Sequence, residues 1–250
     1  MKHLIFFTVL LAVTGVTLNA QSKEAMTHNP LIYSDVPDIA LVRVGDTYYM
    51  SSTTMHMSPG LPIMKSTDLV NWELVSYAYD TLTDNEKLRL ENGQNAYGAG
   101  SWASSIRYHN DVFYVTTFSS TSGKTHVYTT RDIENGPWTA SEFSPMLHDH
   151  TLFFDDDGRV YMLYGGGDIR LVELKADLSG IMPGSEDRVI IENAGAVAAE
   201  KLMLHAEGSQ LVKHKVGTTY LISPGRRTIC GRLLCTVPII LQVPTKPCGP

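Results

Sequence analysis

Short alternations of apolar and polar residues recur along most of the chain, in pairs joined by a tight turn. Residues 40–51 (ALVRVGDTYYMS), 105–116 (SIRYHNDVFYVT), 152–163 (LFFDDDGRVYML) and 210–222 (QLVKHKVGTTYLI) each read as a strand, a turn and a second strand carrying aromatics. Gly45-Asp46, Asn110-Asp111 and Asp157-Gly158 supply residues that tolerate the positive φ of hairpin turns. Aligning the turns brings Tyr49, Tyr114, Tyr161 and Tyr220 into register, at spacings of 65, 47 and 59 residues. A second element follows each of the first three hairpins, at residues 65–75, 130–140 and 174–181. Its Asp68, Asp132 and Asp177 stand 19, 18 and 16 residues after the register tyrosines. A several-stranded unit repeating roughly every 50 residues is the signature of a propeller blade. No apolar pattern of period 3.6 reaches helical length, although residues 84–91 fit a short helical turn. The predicted fold is therefore all-β with about four blades present. A β-sandwich would leave the phased Asp-containing elements unexplained.

Propeller geometry makes the starts of the inner strands converge on one axis. Counting back from the register tyrosines, Asp38 lies 11 residues before Tyr49, Trp102 12 before Tyr114, Asp149 12 before Tyr161 and Glu207 13 before Tyr220. Three carboxylates and a Trp are thus expected at one mouth. Like charges in a partly desolvated pocket push their proton affinities apart, so that one group stays protonated while another stays ionised. Glycoside hydrolysis needs that pairing: an acid for the leaving oxygen and a base for water. The Trp ring suits the flat C–H face of a sugar.

Composition narrows the alternatives. A net charge of -6 lacks the basic footprint of a nucleic-acid binder. Among the histidines there is no H-x-x-x-H pair, and no Cys-His set precedes the tail, so zinc chemistry is not expected. Asp155, Asp156 and Asp157 fall in a hairpin turn and read as solvated turn residues, and Asp35 as a turn residue before Pro37. Gly165-Gly166-Gly167 is followed by no Lys-Ser/Thr and is no phosphate loop. Trp72 and Trp138, in the second elements, read as packing residues. Lys2, His3, the apolar stretch 4–16 and Ala20 form a secretory signal-peptide pattern over residues 1–20, which predicts a secreted or periplasmic protein. That stretch is shorter than a membrane span, and no other segment is a candidate for one. Nothing in the sequence signals an oligomeric state.

The sequence of residues 29–75, above all NPLIYSDVPDIALVRVGDTYYM and PIMKSTDLVNW, resembles glycoside hydrolase family 43. These are five-bladed propeller enzymes of β-xylosidase and α-L-arabinofuranosidase type. The likeness continues in order through WASSIRYH, HDHTLFFDDDGRVYMLYGGG and AEGSQLVK, to about Leu221. It implies a five-bladed all-β propeller acting by inversion on xylosyl or arabinofuranosyl linkages of oligo- or polysaccharides. Residue by residue, Asp38 in VPDIA matches the general base, and Glu207 in AEGSQL the general acid. Asp149 in HDHTLFF matches the third carboxylate, which tunes the acid's pKa and orients substrate. Trp102 is a candidate substrate platform, and His56 lies on a loop of the kind that walls the family's pocket. No organic cofactor is implied; a structural calcium at the axis is, without assigned ligands. Ile39 stands where many members have Pro after the base, which predicts a less constrained strand start. A non-catalytic sugar-binding propeller would lose the acid–base pair, and a retaining fructan-type hydrolase would need an N-D-P-N motif that is absent.

The expected organisation is a signal peptide at 1–20, a propeller at 21–222 and an aberrant tail at 223–250. Residues 208–250 contain no Asp or Glu but six Lys or Arg, and Cys230, Cys235 and Cys248 are the chain's only cysteines. A coding of residues 235–245 exists whose shifted frame reads HRADNITGPY, akin to RDIENGPW at 131–138. Its Asp would fall near position 239, which is 239 - 220 = 19 residues after Tyr220. The tail is thus expected to be read out of frame.

Overall fold

The computed structural model describes residues 28–56, 58–194, 196 and 205–211, together with the backbone of strand residues 212–214, 217–223, 228–229, 232–233 and 239–243. The leader at 1–20 and all three cysteines lie outside the described residues. The first sheet is β1 (Ala40–Val44), β2 (Thr47–Ser51), β3 (Gly60–Ser66) and β4 (Glu73–Tyr79), an antiparallel meander in chain order. The short helix α1 (Glu86–Arg89) follows, its N-terminus capped by the Asn85 side chain, which accepts from the Leu88 N–H at 3.0 Å. The second sheet is β5 (Ser105–His109), β6 (Val112–Ser119), β7 (Lys124–Thr130) and β8 (Thr139–Phe143). The third is β9 (Thr151–Phe154), β10 (Val160–Tyr164), β11 (Ile169–Leu174) and β12 (Arg188–Ile191). In the fourth, β13 (Glu207–His214) pairs with β14 (Gly217–Ser223). After the two-residue strands β15 (Thr228–Ile229) and β16 (Arg232–Leu233), β17 (Ile239–Val243) pairs with the outer edge of β14. The sequence pattern showed no second element there. The apolar run IILQV supplies one in the structure, because an unpaired edge is a template for any extended apolar segment.

All four predicted hairpins form. Gly45 takes φ 60, Asn110 and Asp111 take φ 50 and 59, and Gly158 takes φ 84, as tight turns between twisted strands require. The phased aspartates prove to be turn caps between the third and fourth strands of a blade. Asp68 accepts the Val70 and Asn71 N–H groups at 2.9 and 2.8 Å, Asp132 those of Glu134 and Asn135 at 3.1 and 3.0 Å, and Asp177 that of Ser179 at 3.0 Å. These bonds hold all three carboxyls below the usual range, since each favours the ionised form.

Period-2 patterning sends each blade's two faces to two different neighbours. On β10, Val160 and Met162 pack toward the second blade, while Tyr161 and Leu163 pack toward the fourth. On β7, Val127 joins the second–third interface and Tyr128 the first–second. The register tyrosines Tyr49, Tyr114 and Tyr161 each face the following blade, which explains their recurrence. Each fully buried Leu, Ile or Met in these layers contributes about 1.5–3 kcal/mol. Trp138 packs on the first–second layer as expected, whereas the Trp72 indole N–H donates to the Leu69 carbonyl at 3.2 Å in its own turn. Asp157 pairs with Arg159 in the β9–β10 turn, in keeping with a turn role for residues 155–157. Inner strands β1, β5, β9 and β13 are neighbours in that order. Arg107 ties three of them together, donating to the Ile106 carbonyl at 2.8 Å, to Thr151 Oγ1, and to Gln210 Oε1 at 3.0 Å.

Candidate active site

Asp38 and Asp149 occupy equivalent places, each two residues ahead of an inner strand. Both have left-handed backbones, with φ 51 at Asp38 and φ 44 at Asp149. Aspartate tolerates this region better than most residues, and the shared geometry aims both carboxylates from matching strand starts. The flanks differ. After Asp149, the buried His150 ring bonds the Leu147 carbonyl through Nδ1 and Thr116 Oγ1 through Nε2, both at 2.8 Å. Burial pushes that imidazole down to about 4, so it is neutral near pH 7. After Asp38, Ile39 is 57% exposed and locks nothing. The constraint lies upstream instead, where the Pro37 carbonyl accepts the Thr53 N–H at 3.3 Å.

Glu207 is the first residue of β13, and a bulge follows it. Glu207 pairs with Ser223 and Gln210 with Leu221, leaving Gly208 and Ser209 opposite the single residue Ile222. Gly208 takes φ 65 within the bulge. Such an inserted residue bends the strand and re-aims the side chain beside it. Here it turns Glu207 toward Asp149 and His148. His148 Nε2 lies 3.1 Å from Glu207 Oε2 and 3.8 Å from Asp149 Oδ2. Among these three, Asp149 is innermost, at 12% side-chain exposure against 27% for Glu207 and 43% for His148.

Burial, then repulsion from Glu207, raises the Asp38 carboxyl above its ordinary value. Asp149 is pushed up to about 6, chiefly by burial and further by Glu207 and Asp38, against the opposing pull of His148. Like charges this close do not all ionise together, so the cluster retains a proton as pH rises toward 6. The three carboxylates expected at one mouth are therefore electrostatically one site. Trp102 lies three residues before β5, one further back than the two aspartates from their strands, its backbone N–H donating to the Phe118 carbonyl at 3.1 Å. Its indole N–H is buried with no partner among the described residues. Its ring meets Phe118 at 6.3 Å, and Phe118 in turn meets the His148 ring edge-on at 5.1 Å. His56 is exposed on the β2–β3 loop, and its described ring partner is Tyr97, edge-on at 5.3 Å.

Sequence reasoning passed over His148, His150 and Phe118, and read Gly166 only as part of a glycine run that is no phosphate loop. The H-D-H triplet was a usable signal, as was the strand glycine after Glu207. In the structure the triple glycine walls the site. A Cβ on Gly166 would lie 3.4 Å from Glu207 Oε2 and 3.8 Å from His148 Cδ2. At Gly165, with φ 110, a Cβ would meet the Asp168 carbonyl at 2.5 Å. Among the described residues, His148, Asp149 and Glu207 alone group within ligand distance of one another, inside 4.8 Å. One imidazole and two carboxylates do not fit calcium, which takes six to eight oxygens. No chemistry here is assigned to a metal. No helix among the described residues is long and apolar enough to cross a membrane.

The comparisons agree with this geometry. A family model described as glycosyl hydrolases family 43 matches residues 27–233. A β-xylosidase of Formosa agariphila is 32% identical over 166 residues, covering 64% of this chain and 27% of the relative. A non-reducing end α-L-arabinofuranosidase of Bacteroides ovatus is 33% identical over 134 residues, covering 52% and 25%. A bifunctional GH43-CE structure from Bacteroides eggerthii is 54% identical with a TM-score of 0.80, covering 90% of this chain and 28% of that one. The chain thus spans little more than a quarter of the length of these relatives. Structures of this kind are five-bladed propellers, of which the chain covers a part.

Proposed function

The chain belongs to glycosyl hydrolase family 43, and on that premise we propose that it carries the acid–base site of a secreted or periplasmic inverting glycosidase. Its substrates are xylosyl or arabinofuranosyl linkages in plant cell-wall hemicellulose or derived oligosaccharides. The observation that carries the reading is the convergence of Asp38, Asp149 and Glu207 into one electrostatically coupled cluster at the inner-strand starts. The relatives' names, a β-xylosidase and an α-L-arabinofuranosidase, support the substrate class.

In this reading Asp38 accepts a proton from a water that attacks the anomeric carbon. Glu207 gives its proton to the glycosidic oxygen as the C–O bond breaks on the opposite face. One proton is gained at Asp38 and one lost at Glu207, and exchange with solvent resets both. Asp149 orients the sugar and sets the field around Glu207. Trp102 offers a sugar platform, His56 with Tyr97 forms part of the rim, and no cofactor is required.

A panel of nitrophenyl glycosides and xylo- and arabino-oligosaccharides tests this with Asp38→Ala and Glu207→Ala. Each substitution should lower kcat by roughly 10²–10⁴ with little change in affinity. The Glu207 variant should recover on activated leaving groups, which need little protonation. Proton NMR early in turnover should show the inverted anomer, consistent with carboxyls roughly 6.5–9.5 Å apart. Near-full activity of Glu207→Ala on the natural oligosaccharides refutes the acid assignment, and a retained product refutes inversion.

A further inference from the structure

His148 has no role in the two-carboxylate mechanism, yet it is the side chain in hydrogen-bond contact with Glu207. Its ring is held from several sides. The edge-on Phe118 ring lies 5.1 Å from it, the side-chain-free Gly166 leaves room for its Cδ2, and the His148 carbonyl accepts the Gly165 N–H at 2.8 Å. Nε2 then sits 3.1 Å from Glu207 Oε2 and 3.8 Å from Asp149 Oδ2, while 43% of the side chain remains open to solvent.

We propose that His148 is a positioning residue for the acid. It donates its Nε2–H to Glu207 Oε2 and so leaves Oε1 as the oxygen that carries the proton delivered to the leaving group. One tautomer serves both halves of the cycle. With Glu207 protonated on Oε1, Oε2 is a carbonyl oxygen and accepts the imidazole N–H. After delivery Glu207 is a carboxylate, and Oε2 accepts the same N–H more strongly. The imidazole Nε2 also lies 3.8 Å from Asp149 Oδ2, so one ring is close to both carboxyls at once. The glycine at 166 borders this device, because a Cβ there would already touch both Glu207 Oε2 at 3.4 Å and the ring's Cδ2 at 3.8 Å.

This inference rests on the acid role of Glu207, and two measurements separate its failure from failure of that role. The first is kinetic. His148→Ala should lower kcat roughly tenfold or more on oligosaccharides with poor leaving groups, leave KM nearly unchanged, and spare dinitrophenyl glycosides. His148→Gln, whose amide nitrogen can donate from nearly the same place, should recover part of the loss. Equal loss on both substrate types, or no loss on either, overturns the proposal.

The second measurement needs no turnover. The ring nitrogens of His148 can be read directly by NMR, where the unsubstituted chain should show the Nε2–H tautomer with that proton hydrogen-bonded to Glu207. Glu207→Ala should move the Nε2–H resonance, because its acceptor is gone. An unmoved resonance overturns the proposal even if no substrate is cleaved. A moved resonance in a chain that cleaves no glycoside supports the contact and counts against the hydrolase reading alone.

Discussion

Asp149→Asn should make the folded chain more stable at neutral pH while harming the site. The Asp149 carboxyl is lifted from an ordinary 3.8 to about 6, first by burial and then by the charges of Glu207 and Asp38. The sign follows from where the proton sits. Below an ordinary Asp value both folded and unfolded chains hold the proton, and the carboxyl costs nothing. Above about 6 both have lost it, and the folded chain alone bears an anion in a poor environment. Between those limits the penalty accumulates as pH rises. A rise of that size corresponds to about 3 kcal/mol, at 1.36 kcal/mol for each tenfold change. Contact with solvent screens part of it, leaving roughly 1–2 kcal/mol. Asn keeps the shape without the charge, so Tm at pH 7.5 should rise by roughly 2–4 °C per kcal/mol for a chain of this size. At pH 4 the gain should nearly vanish. Loss of the Asp68, Asp132 and Asp177 turn bonds in acid affects both proteins alike and cancels in the difference. Differential scanning calorimetry of the two chains at both pH values is the assay. No gain at pH 7.5, or an equal gain at pH 4, refutes the reasoning.

Other outcomes follow from single contacts. Gly166→Leu should cost activity out of proportion to stability, because its Cβ already touches Glu207 Oε2 at 3.4 Å and the longer chain has to displace that carboxylate rather than the core; parallel steady-state kinetics and melting check this. Met162→Ala, at a fully buried position between the second and third blades, should lower stability by roughly 2–5 kcal/mol in denaturant titration. For the tail we propose the frame reading given by its composition. Sequencing the gene through codon 250 tests it, and an intact frame refutes it.

What was legible in the sequence was what repeats. Hairpins at 40–51, 105–116, 152–163 and 210–222 could be found because each must bury alternate residues against a neighbouring blade, and that demand writes a period of two. The strand-start positions followed from the same register, so Asp38, Asp149 and Glu207 could be brought together without coordinates. The phased aspartates were seen but their purpose was not: a turn cap and a functional carboxylate look alike until their hydrogen-bond partners are known.

The groups that condition the carboxylates obey no period, and that is why they were missed. His148 and His150 flank Asp149 on an irregular segment, Phe118 stands one residue before the end of β6, and Gly166 lies in a loop of the third blade. Their common property is proximity to the inner-strand starts, which only the packing of blade against blade creates. The contrast between the two left-handed aspartates makes the point. Both have the same backbone, yet Asp149 is followed by a histidine pinned at both ring nitrogens and Asp38 by an exposed isoleucine. Burial is the first cause of the raised carboxyl at both aspartates, so what differs is how firmly each strand start is held. The repeat thus places the carboxylates, and the unrepeated neighbours shape the pocket around them.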